Sequence, residues 1–375
     1  MIPSVRTNPS LWKVATIWRQ FDFAAPTLNT LSSPVGFNSP NHGWQSSLAR
    51  IQRPPKISPM DGAIDPNNLW ILTGPTASGK SALSLLIAAQ YPVEIVNLDS
   101  MQVYKGMDIG TSKVAQSVRD RVPHHLFDLL TPQESGHIAW WLTEATRTIL
   151  DIQHRGKIAL LVGGTMLYLR SFLRGMDSGP PPDEAFRSHW EKRAREEGTG
   201  VVHEELARLD QKSAQRIPPG DIRRVIRAME ILKNQPKTDE TRHWETPAPR
   251  PHHGLWIGLE IPREELRRNI GETVRKMVQE GWLEEVKELA KSEVPWSKEA
   301  RQAIGYTLLK SHLTNGGPIE PVLEKIIQGT CQFAKRQQTW LKSMTELRLL
   351  PVPQAREAFL GTDHFSPQQL ASKAL

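Results

Sequence analysis

Cysteine is nearly absent from this chain of 375 residues: Cys331 stands alone. A single thiol excludes an internal disulfide and any zinc centre built from several cysteines. Long apolar runs are missing too. None approaches the roughly 20 residues that a helix needs to cross a bilayer, so no membrane partner is expected. Acids are the minority charge, 40 Asp and Glu against 47 Lys and Arg, for a formal net charge of +7. Such an excess raises affinity for a polyanion without specifying its sequence. No fixed-period repeat is evident. With 38% hydrophobic residues, the chain can build one large or two ordinary domains, each with its own core.

What is present is Gly74-Pro75-Thr76-Ala77-Ser78-Gly79-Lys80-Ser81, a full match to the phosphate-loop pattern G-x-x-x-x-G-K-[ST]. An apolar run, Leu69 to Thr73, precedes it, and a helix-forming run, Ala82 to Ala89, follows. Strand, glycine loop and helix N-terminus together aim backbone N–H groups at one anion. Lys80 adds a positive charge, and Ser81 offers a hydroxyl to a magnesium ion. A second apolar run, Val93 to Leu98, closes on Asp99, and a third, Ile158 to Val162, closes on Gly163-Gly164-Thr165. Strand C-termini border the ligand crevice of a parallel α/β sheet, so Asp99 and Thr165 are expected to face the phosphate site. A helix is expected over about 138–154, and a further strand over 255–259. Strands alternating with helices imply an α/β, doubly wound parallel sheet of the P-loop NTPase type.

Composition divides the rest. Before Met60 there are six Lys and Arg against one acid, Asp22, so residues 1–64 read as a disordered or mis-annotated leader, with a transit peptide as the lesser alternative. Residues 65–176 and 254–350 form the expected catalytic core. Between them, 177–253 read as an inserted helical subdomain in which Arg223 and Arg227 share one helix face. Two or three basic amphipathic helices are expected between 263 and 343, and 351–375 read as a tail. His124 and His125 are adjacent on an extended segment and point oppositely, so a structural role is expected rather than a metal site.

Seven segments in order carry a resemblance. They are Gly-Pro-Thr-Ala-Ser-Gly-Lys-Ser at 74–81, Asp-Ser-Met-Gln-Val-Tyr at 99–104, Asp-Ile-Gly-Thr at 108–111 and Pro-His-His-Leu at 123–126. Then come Val-Gly-Gly-Thr-Met-Leu-Tyr at 162–168, Gln-Ala-Ile-Gly-Tyr at 302–306 and Ala-Lys-Arg-Gln-Gln-Thr-Trp at 334–340. On these the chain resembles the tRNA dimethylallyltransferase (tRNA isopentenyltransferase) family. The resemblance implies transfer of a dimethylallyl group from dimethylallyl diphosphate to N6 of the adenosine 3′ of the anticodon, in tRNAs reading U-initial codons. The loop Gly74 to Ser81, with Arg227, would then hold the donor diphosphate and Mg2+, the ion through Ser81. Asp99 would take the proton, Thr165 would orient the amine, and Lys80 would stabilise the leaving group. The tRNA anticodon stem-loop would be gripped by Asp99, Ser100, Met101 and Gln102, and by Arg223, Arg224, Val225, Ile226 and Arg227. Further grip would come from Arg301, Gln302, Ala303, Ile304, Gly305 and Tyr306, and from Lys335, Arg336 and Gln337. A monomeric, cytoplasmic bacterial enzyme is expected, with organellar targeting by the leader as the minor alternative.

Three departures from the family pattern are visible. Ile217-Pro218-Pro219-Gly220-Asp221 replaces a usual His-Pro-Asn-Asp run, and Cys331 and Thr307 replace usual arginines. The rival readings are an adenylate isopentenyltransferase, a P-loop small-molecule kinase and a non-catalytic RNA-binding protein. The basic insert and C-terminal helices argue against the first, and the intact phosphate loop against the last.

Overall fold

Strand β1 (Leu69–Thr73) is buried along its whole length, with Leu69 and Ile71 in one apolar cluster and Trp70 and Leu72 in another. That split is the period-2 alternation of a strand covered on both faces, as parallel sheets require. The computed structural model describes residues 63–176, 182–234 and 254–361, all within the compact unit Arg53–Leu375. The expected leader lies outside the described residues except at its last two positions, where Ile64 is buried in the core.

Six parallel strands form one sheet in the order β3-β2-β4-β1-β5-β6. The others are β2 (Val93–Asn97), β3 (His124–His125), β4 (Ile158–Gly163), β5 (Trp256–Glu260) and β6 (Arg348–Pro351). One face is covered by α1 (Lys80–Ala88), whose Leu83 and Ile87 meet Trp70, Ile95 and Leu160. After the short α2 (Gln116–Arg119), α3 (Ile138–His154) covers the other face with Trp141, Leu142, Ala145, Ile149 and Ile152. Helix α4 (Met166–Arg174) follows β4 directly.

Among its described residues the insert forms only helices: α5 (Glu184–Glu196), α6 (Thr199–Leu209), α7 (Gln211–Arg216) and α8 (Ile222–Asn234). Its apolar cluster, with Val202, Leu206, Val225, Ile226 and Met229 at the centre, is separate from those of the sheet. After β5 come α9 (Arg263–Gln279), α10 (Trp282–Leu289), α11 (Tyr306–Asn315) and α12 (Glu320–Lys342). That makes four helices where two or three were expected. The expected tail also needs correction: α13 (Val352–Leu360) inserts Ala355 and Phe359 into the core beside Trp70.

Candidate functional site

The phosphate loop leaves β1 at Gly74 and enters α1 at Lys80. Gly79 caps the helix with φ +84° and no side chain to take the N–H groups, so those donors point out, ready for an anion. Gly74 is held small by Leu259, whose Cβ would sit 2.9 Å from an added Cβ. Lys80 folds back onto its own loop, its Nζ donating to Gly74 O at 2.9 Å and Pro75 O at 2.6 Å. These are weak acceptors beside a phosphate, so the ammonium is parked within reach of an incoming anion. Burial lowers its pKa to about 8, and the nearby Asp99 charge opposes that shift.

Asp99 follows the end of β2 and is fixed by its neighbours. Its backbone N–H donates to Asn97 Oδ1 (2.9 Å), its carbonyl accepts from Asn97 Nδ2 (3.0 Å), and its Oδ1 accepts from Met101 N (2.8 Å). Burial raises its pKa, partly offset by that backbone bond and by the charge of Lys80. Thr165, at the end of β4, accepts from Ser100 N at 3.0 Å through its Oγ1. The turn before it must be glycine: a Cβ on Gly163 would lie 2.3 Å from the Leu98 backbone.

Two adjoining cavities share this ground. The smaller, about 210 Å3, runs over Thr76 to Ser81 and includes Gly163, Gly164 and His124. The larger, about 340 Å3, adds Thr165 and an apolar wall of Ile270, Val274, Met277, Trp282 and Ile304, with Phe333 common to the two. Asp99 stands in the wall of both. Among the described residues no group of three or more His, Cys, Asp or Glu could hold a metal unaided. Ser81, in the smaller cavity, fits a hard cation whose remaining ligands are diphosphate oxygens and water.

The sequence-predicted residues separate into three groups. Thr76 to Ser81, Asp99 to Gln102, Thr165, Gln302 to Ile304, Arg336 and Gln337 line one or both cavities. Gly305 and Tyr306 lie buried behind them, whereas Lys335 and Arg301 are exposed and line neither. The insert residues are not brought to the cavities. Arg227 is ion-paired with the buried Glu230, Arg224 pairs with Asp221, and Arg223 is exposed. Val225 and Ile226 are core residues of the insert, so their side chains are not available to RNA. Gln337 is also reassigned by its contacts: buried, it accepts from Thr76 N (2.9 Å) and donates to Gly164 O (2.8 Å). It clasps the phosphate loop to the β4 turn. His124 and His125 pair with β2; His125 Nε2 bonds Glu94 at 2.7 Å, whereas His124 borders the smaller cavity.

Sequence reasoning missed Asn97 and the apolar wall. Ile270, Val274 and Met277 carry helical spacing, as do Ile326, Thr330 and Phe333. Spacing of that kind signals a buried helix face without saying that the face borders a cavity.

A family model described as IPP transferase matches residues 102–344. The tRNA dimethylallyltransferase of Rhodopirellula baltica is 40% identical over 292 residues, 75% of this chain and 87% of its own. That of Geobacter metallireducens is 40% identical over 298 residues, covering 78% and 96%. Among solved structures, the tRNA isopentenylpyrophosphate transferase of Bacillus halodurans superposes with a TM-score of 0.57 at 32% identity, covering 82% of this chain and 98% of that one. A eukaryotic dimethylallyltransferase acting on tRNA superposes with a TM-score of 0.63 at 28% identity, covering 76% and 73%.

Proposed function

The chain belongs to the IPP transferase family, and on that premise we propose that it is a tRNA dimethylallyltransferase. It moves the dimethylallyl group of dimethylallyl diphosphate to N6 of the adenosine directly 3′ of the anticodon, in tRNAs reading U-initial codons. The observation that carries this reading is the position of Asp99 in the wall of both cavities. A phosphate-binding end and an apolar, base-sized end then meet at one carboxylate.

The smaller cavity takes the diphosphate. Loop N–H groups and Lys80 turn to its oxygens; Ser81 would hold a divalent cation, Mg2+, and that cation would neutralise leaving-group charge. The N6 lone pair forms the new bond to C1 of the prenyl group as the C1–O bond breaks, its electrons passing to the diphosphate. Charge grows on that oxygen, and fixed donors there lower the barrier most. The amine is conjugated into the purine and is a weak nucleophile, so its proton must leave during or after attack. Asp99 receives it, and burial makes this carboxylate more basic than a free one. Thr165 holds the Asp99-Ser100 turn in place. The base reaches the site only when splayed from its loop, and basic residues around the cavity and on the insert meet the stem phosphates. Because tRNA is the acceptor, the proposed place of action is the cytoplasm.

The test is transfer of label from dimethylallyl diphosphate to an unmodified anticodon stem-loop or to AMP. Label in the adenosine 3′ of the anticodon is the expected result. Label entering AMP alone supports the adenylate-prenylating reading, and turnover of ATP without prenyl transfer supports a kinase.

A further inference from the structure

Two walls of the larger cavity are tied to one carboxylate outside it. Glu285, in the middle of α10, accepts from the backbone N–H groups of Asp108 (2.9 Å), Ile109 (2.7 Å) and Gly110 (3.2 Å). It also accepts from the Tyr306 hydroxyl at 2.6 Å. Three successive N–H groups converging on an anion form a nest. The chain running on from that nest, Gly110 to Ser112, is one wall of the cavity, and Gln302 to Ile304, just before Tyr306, is another. Trp282, one turn earlier on α10, keeps both close. An added Cβ at Gly110 would lie 2.0 Å from its Nε1, and one at Gly305 would lie 2.2 Å from its Cη2. Tyr306 is fully buried, and burial with the Glu285 charge pushes its phenol far above the ordinary value, so it remains a donor.

We propose that Glu285 is a positioning residue for the acceptor side of the reaction: it fixes the spacing of the 108–112 and 302–306 walls and so sets the slot that the acceptor base enters. This rests on the reading that the acceptor occupies the larger cavity. Gln302 to Ile304 and Gly110 wall that cavity and not the phosphate-binding one, whereas Thr111 and Ser112 border both, so loss of the tie acts more on acceptor than on diphosphate. A glutamine here keeps the shape but offers one acceptor oxygen to four donors, and its NH2 group faces donors in turn.

The test compares wild type, Glu285→Gln and Tyr306→Phe. Inorganic diphosphate binding is measured by calorimetry, and transfer is measured with the stem-loop varied at saturating donor. Expected is diphosphate affinity within about twofold of wild type in both variants, which also reports an intact loop. KM for the stem-loop rises more than about tenfold in Glu285→Gln. It rises about threefold in Tyr306→Phe, which keeps the three backbone bonds, and kcat changes less than KM in each. Wild-type KM in both variants, or loss of diphosphate binding in step with loss of transfer, overturns the proposal. Absence of transfer by the wild type overturns the underlying reading of the reaction, and this inference with it.

Discussion

Lys80 and Asp99 are half-buried in the same cavity, and desolvation there moves them in opposite directions. The lysine is lowered to about 8 and the aspartate is raised, each shift favouring the neutral form. The signs give a pH profile. Asp99 must be ionised to take a proton, so transfer climbs as pH rises through its elevated value. Lys80 must be charged to hold diphosphate, so kcat/KM for the donor falls above about pH 8. The same limb shifts upward in kcat, because bound diphosphate stabilises the ammonium. Steady-state kinetics from pH 5 to pH 10 check this, and a kcat/KM that stays level to pH 10 contradicts it. At this scale the sequence was readable where one residue's chemistry was fixed by its near neighbours, as with Lys80 in its loop. It was silent where the partner is remote: Gln337 meets Thr76 across 261 positions, and nothing in a helical Lys-Arg-Gln run announces that contact.

Among elements, the four central strands were legible from their largely apolar runs, because burial on both faces demands such runs. The helix Ile138–His154 was legible for the same reason, its apolar residues recurring on one face. The edge strands were not. β3 is two half-buried histidines, and β6 carries exposed residues at both ends, so pairing with a neighbour and not composition makes them strands. β3 is held by side chains as well. Glu94 of β2, itself buried, accepts from His125 Nε2, from Arg155, and from Lys157 Nζ at 2.8 Å. Its pKa falls to about 2, with the Arg155 bond the largest cause. The stabilisation this provides is present above the ordinary carboxylate value and is lost as pH drops towards 2. Glu94→Gln should cost about 2 kcal/mol at pH 7, less than the full shift implies because Arg155 and Lys157 are partly solvated. Urea melts at pH 7 and pH 3 should show the gap between variant and wild type shrinking in acid.

In the whole molecule, the sheet supplies the chemistry and the insert keeps a core of its own, so the two can be probed separately. Arg223 and Arg224 are exposed on α8. If the insert grips tRNA, replacing both with alanine weakens stem-loop binding and lowers the slope of log K against log salt by about 1.5, with diphosphate affinity unchanged. An unaltered slope removes the insert from the interface. The central claim is that Asp99 is the proton acceptor at the junction of the two cavities. Its most direct test is single-turnover transfer by Asp99→Asn at saturating donor, with donor binding measured in parallel. The account predicts donor affinity within about threefold of wild type and a transfer rate lower by roughly 100-fold or more. Weak, cation-dependent donor binding with a near-normal transfer rate would contradict it and make Asp99 a metal ligand instead.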